Sequence, residues 1–382
     1  MKVRTLIPNI RFRGFSDPWE QRKLQQIAKV FDGTHQTPEY VSNGVPFVSV
    51  ENIKTLKTNK YISNNAFQNN FKIFPQKGDI FMTRIGNIGS VNIVENNKDL
   101  AYYVSLALIR PEHIRTQYLA QYISSQNGQR QLWRRTLHVA FPKKINKNEI
   151  SKINIFYPDN VEQEKIGSLI IKLDHLIAAN EDKVQQLKTL KKLMMQKIFS
   201  QEWRFKGFTD PWEQRKLESV VIVYDKGRVP VTSTERISGD TPYYGANGIQ
   251  DYVDGYTHDG EFTLIAEDGA NDTRNYPIKF VSGKIWVNNH AHVLAGKQNI
   301  LNTRFLSFSL QQINIEPFLS GSGRAKLNAS EMKKLLIAVP NIYEQIKVEN
   351  FLGEMAHLIA ANEDKLNQLK RLKKYLMQNL FV

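Results

Sequence analysis

The chain has 382 residues, of which 41% are hydrophobic and 23% are charged. At roughly 100–200 residues per domain, this length predicts two or more domains, and no stretch approaches the roughly 18 uninterrupted apolar residues of a membrane span. The chain contains no cysteine, which excludes disulfide scaffolds, cysteine-ligated zinc and thiol catalysis and makes a reducing cytoplasm the expected location.

The net charge of +15 is concentrated in the first part of the chain. Residues 1–157 carry 23 basic and 10 acidic side chains, whereas residues 201–339 carry 16 of each. Because a basic surface attracts polyanions, nucleic acid is the first partner to consider. Charge alone leaves open a basic protein without a special partner.

Two internal repeats define the organisation of the chain. Residues 11–24, RFRGFSDPWEQRKL, return at 204–217 as RFKGFTDPWEQRKL, with 12 of 14 positions identical. Residues 158–199 align without gaps to 340–381, and both copies contain the run HLIAANEDK. We therefore predict two units related by a pseudo-twofold internal repeat. The predicted segments are a first domain at 1–157, a first long helix at 158–200, a second domain at 201–339 and a second long helix at 340–382.

The segments between the repeats have the pattern of short strands separated by turns. Four stretches are rich in β-branched and aromatic residues and are bounded by Gly, Asn and Asp, namely 45–50, 79–82, 90–94 and 262–266. The two intervening segments have no evident similarity to each other. We expect a mixed α/β domain in each unit.

The second repeat has the pattern of a long helix in both copies. Apolar residues recur at steps of three and four, which predicts a helix buried on one face. Asp159 and Asn341 are positioned to cap the two helices, and Glu162 and Glu344, three residues later, are positioned to reach back. At about 1.5 Å per residue, roughly 40 residues form a rod about 60 Å long. Such a rod is longer than most single domains need.

The two helices are predicted to pack against each other as an antiparallel coiled coil. Asn180 and Asn362 lie within the predicted seam, where a buried asparagine fixes the register of the helices. A position at the hydrated edge of the seam is the alternative for both residues.

Sequence motifs that indicate catalysis are absent. There is no Asn-Pro-Pro-aromatic or Asp-Pro-Pro-aromatic tetrad of amino-methyltransferases, and no P-loop. The run 162–165, EQEK, resembles the acid-plus-lysine pattern of nucleases, but Gln163 replaces the expected acid. His290 and His292 have no third ligand nearby in the sequence. We predict no catalytic residue, no metal site and no cofactor in this chain.

Candidate DNA contacts lie in loops that mix small, polar and basic residues. Arg84 and Asn87 follow a predicted strand and have the side-chain types that contact guanine and adenine edges. Thr34 and His35 occupy a second such loop. Cations of the phosphate-binding type are Arg134, Arg135, Lys143 and Lys144. The candidates in the second unit are Asn247, Asn271, Arg274, Arg324 and Lys326. An ordinary solvated loop residue is the alternative for each.

Several motifs together carry a family resemblance. They are the twin segments at 11–24 and 204–217, the run KGDI at 77–80 leading into Gly86 and Gly89, Gly323-Arg324 before the apolar run 335–340, and the Glu-Gln pairs 162–163 and 344–345 that open the helices. On these residues, the chain resembles the specificity subunits of type I restriction-modification systems over almost its whole length.

The resemblance implies that each variable domain is a target recognition domain that reads half of a bipartite sequence in double-stranded DNA. It implies that the helices set the spacing and dock two methylation subunits, which restriction subunits then join. S-adenosylmethionine would belong to the methylation subunit, and ATP and Mg to the restriction subunit. The rivals are an enzyme with its own chemistry, which the missing motifs oppose, and a non-catalytic DNA-binding regulator or coiled-coil scaffold outside any restriction system.

Overall fold

The computed structural model describes residues 7–321 and 325–382. The chain divides into two compact units, the first containing residues up to 181 together with 364–382, and the second containing 182–363. The four segments predicted from the sequence are consecutive along the chain and keep each long helix whole. The observed boundary between the units instead falls within each long helix. Among the described residues, no helix combines the length and hydropathy required to cross a membrane.

The first unit is a mixed α/β fold. Its strands are β1 (Glu20–Lys23), β2 (Ala28–Asp32), β3 (Val45–Val48), β4 (Tyr61–Ile62), β5 (Ile80–Thr83), β6 (Val91–Ile93), β7 (Ala101–Tyr102), β8 (Leu106–Pro111) and β9 (Asn154–Tyr157). Its helices are α1 (Asn64–Asn70), α2 (Thr116–Ser124), α3 (Gln126–Arg135), α4 (Lys147–Ser151) and the first part of α5 (Asn160–Phe199). One antiparallel sheet has the order β2-β8-β5-β6, a smaller sheet has the order β4-β3-β7, and β1 pairs with β9.

The second unit is built around a larger sheet. Its strands are β10 (Glu213–Lys216), β11 (Val221–Val223), β12 (Ser238–Gly245), β13 (Gly248–Val253), β14 (His258–Ala266), β15 (Ile278–Val287), β16 (Ala291–Gly296) and β17 (Leu336–Val339). Its helices are α6 (Leu217–Val220), α7 (Thr303–Leu310), α8 (Ala329–Lys334) and most of α9 (Ile342–Asn379). Six strands have the order β11-β16-β14-β15-β12-β13, and β10 pairs with β17.

The predicted strands and long helices are confirmed. The four predicted strand segments correspond to β3, β5, β6 and the second half of β14, with shifts of one or two residues at their ends. The two predicted helices correspond to α5 and α9. The periodic and turn signals of the sequence therefore located these elements correctly.

Each unit is closed by the ends of both long helices. In the first unit, Ile166 and Ile170 from α5 share a core with α2, and Phe381 beyond the end of α9 packs against Tyr118 and Tyr122, at ring centroid distances of 5.6 and 6.1 Å. These contacts explain why each helix contributes to two cores instead of forming a segment of its own.

The second unit repeats this arrangement with the helices exchanged. Val348 from α9 and Ile198 from α5 are buried in one core. Phe199 packs against Trp212 and Phe305, at ring centroid distances of 5.8 and 5.5 Å. The end of α5 therefore occupies the place in the second unit that the residues after α9 occupy in the first.

Within the first unit, the two long helices run antiparallel. Asp174 forms an ion pair with Lys373, and Glu181 lies 2.6 Å from Lys370. Because the later residue of α5 pairs with the earlier residue of α9, the two chain directions oppose each other. The packing of α5 and α9 as one coiled coil along their whole length stays a prediction.

Asn180 and Asn362 are both buried, with 8% and 7% exposure. The side-chain amide of Asn180 donates to the carbonyl oxygen of Leu176 at 2.7 Å, and that of Asn362 donates to Leu358 at the same distance. Each amide thus forms a hydrogen bond within its own helix, and the role of these residues in setting the register stays a prediction.

The start of α5 is held by a buried ion pair. Asp159 caps the helix as predicted, because its carboxylate accepts from the backbone N–H of Glu162 at 3.0 Å. The prediction that the Glu162 side chain reaches back to the cap is wrong. Its carboxylate is fully buried and accepts two hydrogen bonds from Arg11, at 2.9 and 2.8 Å. This pair connects the helix to the leading segment 11–24, which lies far away in the sequence.

The start of α9 is held by the same contacts. The side chain of Asn341 accepts from the backbone N–H of Glu344 at 3.0 Å. The buried carboxylate of Glu344 accepts two hydrogen bonds from Arg204, at 2.9 and 2.7 Å, and a third from Trp212 at 3.2 Å. Here too the predicted reach back to the cap is replaced by a contact with the leading segment.

The glutamine after each of these glutamates makes a second connection. Gln163 accepts from the backbone N–H of Arg115, just before α2, at 3.0 Å. Gln345 accepts from the backbone N–H of Asn302, just before α7, at 2.8 Å. The Glu-Gln pair therefore joins each long helix to the leading segment and to a helix of the variable domain.

We predict that Glu162→Gln lowers the free energy of unfolding of the first unit by about 3 kcal/mol, because it leaves the Arg11 guanidinium buried without its charged partner. The matched control is Glu164→Gln, since the Glu164 side chain is 66% exposed and its ion pair with Arg115 spans 3.7 Å; its effect should be below about 0.5 kcal/mol. Urea unfolding of both variants measures the difference. Equally small effects would contradict the assigned role of the pair.

Candidate DNA interface

Three loops of the first unit meet around Arg84. They are residues 32–37 at the end of β2, residues 83–89 between β5 and β6, and residues 137–145 before α4. The Arg84 guanidinium is ion-paired with Asp32, and its Nε donates to the carbonyl oxygen of Ile145 at 3.1 Å. Arg84 is only 8% exposed. Its side chain therefore holds the three loops together from beneath.

Backbone hydrogen bonds complete this arrangement. The N–H of Ile145 donates to the carbonyl oxygen of Arg84 at 3.0 Å, and that of Gly86 donates to Lys143 at 2.8 Å. Gly86 has a φ of +75°, in the left-handed region that glycine adopts without strain. The chain can therefore turn sharply two residues after Arg84 while remaining paired with the neighbouring loop.

The contact of Arg84 with a base stays a prediction, and the structure shows this side chain in a structural position. Its guanidinium is committed to Asp32 and Ile145 and is covered by the loops themselves. These contacts hold two neighbouring loops to the loop that carries Arg84. We assign Arg84 as a positioning residue, and no local sequence signal could have revealed this, because Asp32 and Arg84 are 52 residues apart.

The polar candidates of the first unit lie on two of these loops. His35 and Asn87 are exposed, and the side-chain amide of Asn87 donates to the hydroxyl of Ser90 at 3.2 Å. Thr34 is half-buried, and its hydroxyl takes part in a local turn with Gln36 at 3.3 Å. His35 and Asn87 are therefore the more accessible of the three.

The basic candidates lie on α3 and on the third loop. Arg134, Lys143 and Lys144 are exposed, and Lys143 Nζ lies 4.6 Å from the centre of the Trp133 ring. Arg135 is half-buried and donates to the carbonyl oxygens of Gln131 and Lys152, at 3.4 and 3.5 Å. Over residues 7–321 and 325–382, none of these four cations forms an ion pair with an acidic side chain. Their charges remain free to attract a polyanion.

The second unit joins its loops through a different residue. The repeat offset 204 − 11 = 193 aligns Asp225 with Asp32, and the offset 340 − 158 = 182 aligns Leu327 with Ile145. His292 Nδ1 lies 2.6 Å from the Asp225 carboxylate, and its Nε2 donates to the carbonyl oxygen of Leu327 at 2.9 Å. In both units, a buried side-chain nitrogen thus connects an aspartate and a backbone carbonyl at corresponding positions. In the second unit the nitrogen belongs to a residue of β16, whereas in the first it belongs to Arg84 in the loop after β5.

Asp225, Glu267 and His292 form a cluster of a kind that can hold a metal ion, with ligand atoms within 4.8 Å of one another. Two cations already occupy it, because Arg228 lies 2.7 Å and Lys326 3.1 Å from Glu267. Although burial opposes ionisation, the hydrogen bonds from Arg228 and Lys326 lower the pKa of Glu267. Since those cations would repel a metal ion, the charges favour an ion-pair network.

Three candidates of the second unit lie around one exposed turn. The side-chain amide of Asn247 donates to the carbonyl oxygen of Gly269 at 2.9 Å, and its oxygen accepts from the backbone N–H of Asn271 at 2.9 Å. Asn271 and Arg274 are exposed. Asn247 therefore shapes the turn, while the side chains of Asn271 and Arg274 lie on its surface.

The other two candidates lie beyond this turn. Lys326 is half-buried and its ammonium group pairs with Glu267, which gives it a structural contact that the sequence did not reveal. Arg324 lies outside the described residues.

The family model for the type I restriction modification DNA specificity domain matches residues 16–189 and 209–371. The chain belongs to this family. Each match spans most of one leading segment, the variable segment after it and much of the long helix that follows. This specificity-domain protein therefore carries the family's domain twice.

The relatives and a solved structure agree with this assignment. A Haemophilus influenzae protein described as a type I restriction enzyme specificity subunit is 46% identical over 146 residues, which is 38% of each chain. The MjaX specificity subunit of Methanocaldococcus jannaschii is 22% identical over 406 residues, covering 95% of this chain and 93% of its own. A type I restriction-modification S subunit from M. genitalium shares the fold, with a TM-score of 0.74 at 14% identity over 98% of this chain and 99% of its own.

We predict that Arg84→Gln lowers the free energy of unfolding of the first unit by about 3 kcal/mol, because it leaves the partly buried Asp32 carboxylate without its cation. Arg134→Gln, at an exposed cation of the same unit, is the control and should cost less than about 0.5 kcal/mol. Unfolding measurements compare the two. If the variant kept its stability but recognised a different base in the target, Arg84 would be a base contact instead.

Proposed function

We propose that this chain is the non-catalytic DNA-recognition subunit of a type I restriction-modification complex. Each unit reads one half of a bipartite sequence in double-stranded DNA. The observation that carries the proposal is the repeated frame, meaning the leading segment and the long helix that occur twice. Two segments of the chain match one family, but the variable inserts within the two frames have no evident similarity. A shared frame with different inserts suits one task carried out on two different base sequences.

In this proposal, α5 and α9 set the gap between the two half-sites and dock two methylation subunits. Support comes from large apolar side chains that are exposed along both helices, since exposed apolar surface marks sites of protein association. These residues are Leu176, Leu190, Leu193, Leu358, Leu372 and Tyr375. The buried Asn180 and Asn362 fix the register of the helices.

The chemistry belongs to the partners of this chain. The methylation subunits would bind S-adenosylmethionine, and restriction subunits, joining afterwards, would bind ATP and Mg. The specificity subunit contributes the choice of DNA sequence. The complex would act in the cytoplasm, where bacterial and archaeal DNA is found.

The first unit supplies most of the electrostatic attraction. Its exposed side chains His35 and Asn87 would contact bases, while Arg134, Lys143 and Lys144 would contact phosphates. Thr34 and Arg135 lie among them, but their polar groups also bond within the protein. The excess of 13 basic residues in 1–157 supports the larger electrostatic contribution of this unit, as do cations that have no acidic partner among its described residues.

The second unit contributes more to discrimination than to attraction. Its segment 201–339 has no net charge, so its binding depends on individual contacts. Asn271, Arg274 and Arg324 are the proposed base contacts, while Asn247 shapes the turn that carries Asn271 and Lys326 is paired with Glu267.

Exchanging residues 25–157 for the same region of another specificity subunit should change one half of the recognised sequence. The other half should persist because 218–339 is untouched, and the gap between the halves should persist because both long helices are untouched. Methylation-aware sequencing of a host that expresses the chimera with its methyltransferase partner gives the result. The reciprocal exchange of 218–339 is the control and should change only the other half. A change in both halves would contradict the modular assignment.

Replacing Arg134, Arg135, Lys143 and Lys144 together by glutamine should weaken binding to all DNA sequences. The slope of log affinity against log salt should flatten by up to about 0.9 for each phosphate that is no longer bound by a cation. Titrations of specific and random duplexes at several salt concentrations measure both effects.

The control for that experiment removes an equal charge from the helices. Four exposed lysines that form no ion pair within the described part of the chain serve for this purpose, namely Lys172, Lys183, Lys347 and Lys365. Their replacement should leave the salt slope closer to that of the original chain. An equal slope in the two variants would show that the loop cations do not contact phosphates.

A further inference from the structure

The third loop of the first unit exposes two apolar side chains completely. Val139 and Phe141 are 99% and 104% exposed, and Leu137 and Trp133 nearby are 41% and 57% exposed. Leaving such side chains in water forgoes about 1.5–3 kcal/mol of hydrophobic stabilisation for each one. An exposed apolar patch of this kind marks a binding surface.

The base of this loop is held firmly. The backbone N–H of Leu137 donates to the carbonyl oxygen of Lys144 at 2.8 Å, and Ile145 is paired with Arg84 on the neighbouring loop. The exposed tip, residues 138–143, is thus supported by a paired stem. The tip is also joined to the loop that carries Asn87, because the backbone N–H of Gly86 donates to the carbonyl oxygen of Lys143 at 2.8 Å.

The charges around the tip favour a polyanion as the occupant. Lys143 and Lys144 lie two and three residues after Phe141, and Arg134 lies at the end of α3. Over the described residues these cations have no acidic partner. An apolar tip flanked by free cations matches the apolar base stack and charged backbone of DNA better than the surface of another protein.

The sequence of the second unit has no large apolar residue at the corresponding place. Its corresponding loop is closed by pairing between Ser320 and Lys326, and the sequence between them is GSGRA, which has no large apolar residue. A docking site for a methylation subunit would be expected in both units, because each would receive one copy. Apolar residues that are present at this place in the sequence of the first unit, and absent from the second, suit a DNA half-site that only the first unit reads.

We propose that the loop 137–144 is an apolar wedge that inserts Phe141 against or between the bases of the half-site read by the first unit. This inference rests on the proposed function. Apolar side chains that enter the base stack partly unstack a step, and the bend that follows brings more protein surface into contact with the DNA. Lys143 and Lys144 would hold the flanking phosphates.

The experiment compares Phe141→Ala with Phe141→Trp in the full chain, assembled with its methylation subunits. The DNA is a duplex carrying the target mapped by methylation-aware sequencing. Phe141→Ala should weaken specific binding about tenfold, since it removes stacking on an aromatic side chain, whereas Phe141→Trp should stay within about threefold. Val139→Ala tests the second apolar side chain, and Ile237→Ala, at a 71% exposed side chain of the second unit, is the matched control.

A second readout reports base unstacking directly. The adenine analogue 2-aminopurine is placed at each adenine of the first half-site except the methylated one, and its fluorescence is recorded with each variant. The original chain should raise the signal at one step, and Phe141→Ala should abolish that rise. Because Phe141 is fully exposed, the melting temperature of the variant should be unchanged.

Three outcomes would overturn the inference. Equal affinity and equal fluorescence for Phe141→Ala would show that the tip does not enter DNA. Impaired assembly with the methylation subunits, with DNA contacts unchanged, would assign the tip to a protein partner. Failure of the original chain to select any sequence would overturn the proposed function itself, and the wedge with it.

Discussion

A buried carboxylate at the start of each long helix is the contact on which both units depend. Glu162 receives two hydrogen bonds from Arg11, 151 residues earlier, and Glu344 receives two from Arg204, 140 residues earlier. The strand within each leading segment pairs with the strand that precedes the long helix. Each variable segment therefore starts and ends at the same fixed place. This closure tolerates inserts that differ by 11 residues, since only the ends of the insert must meet.

The two inserts reach one result through different residues. Arg84 in the first unit and His292 in the second each connect an aspartate at or just beyond the end of a strand with the corresponding backbone carbonyl before a short helix. A binding loop must be held rigidly if its exposed side chains are to discriminate between bases. The buried polar contacts supply that rigidity, and the exposed residues around them remain free to differ between units.

The two units are alike in frame and unlike in surface. The first presents an exposed Phe141 and cations that have no acidic partner among the described residues, whereas the second has no net charge over 201–339 and the sequence GSGRA in the corresponding place. A cationic surface speeds association and binds any DNA sequence, while a neutral one depends on individual contacts. The proposed division between attraction and discrimination follows from this difference.

The amino-acid sequence was sufficient to predict the doubled frame, the two long helices, their caps and the family, because these depend on repetition, periodicity and local motifs. It did not reveal that Glu162 contacts Arg11, that Arg84 is buried or that Asp225 and His292 meet, 67 residues apart. Such contacts depend on which strands become neighbours, and local patterns carry no record of that. The exposure of Phe141 was hidden for the same reason: an aromatic residue next to a proline has the same local pattern in a core and on a surface. The folded structure was needed to separate the candidates that face solvent from those that hold the fold, because burial depends on neighbours that are distant along the chain.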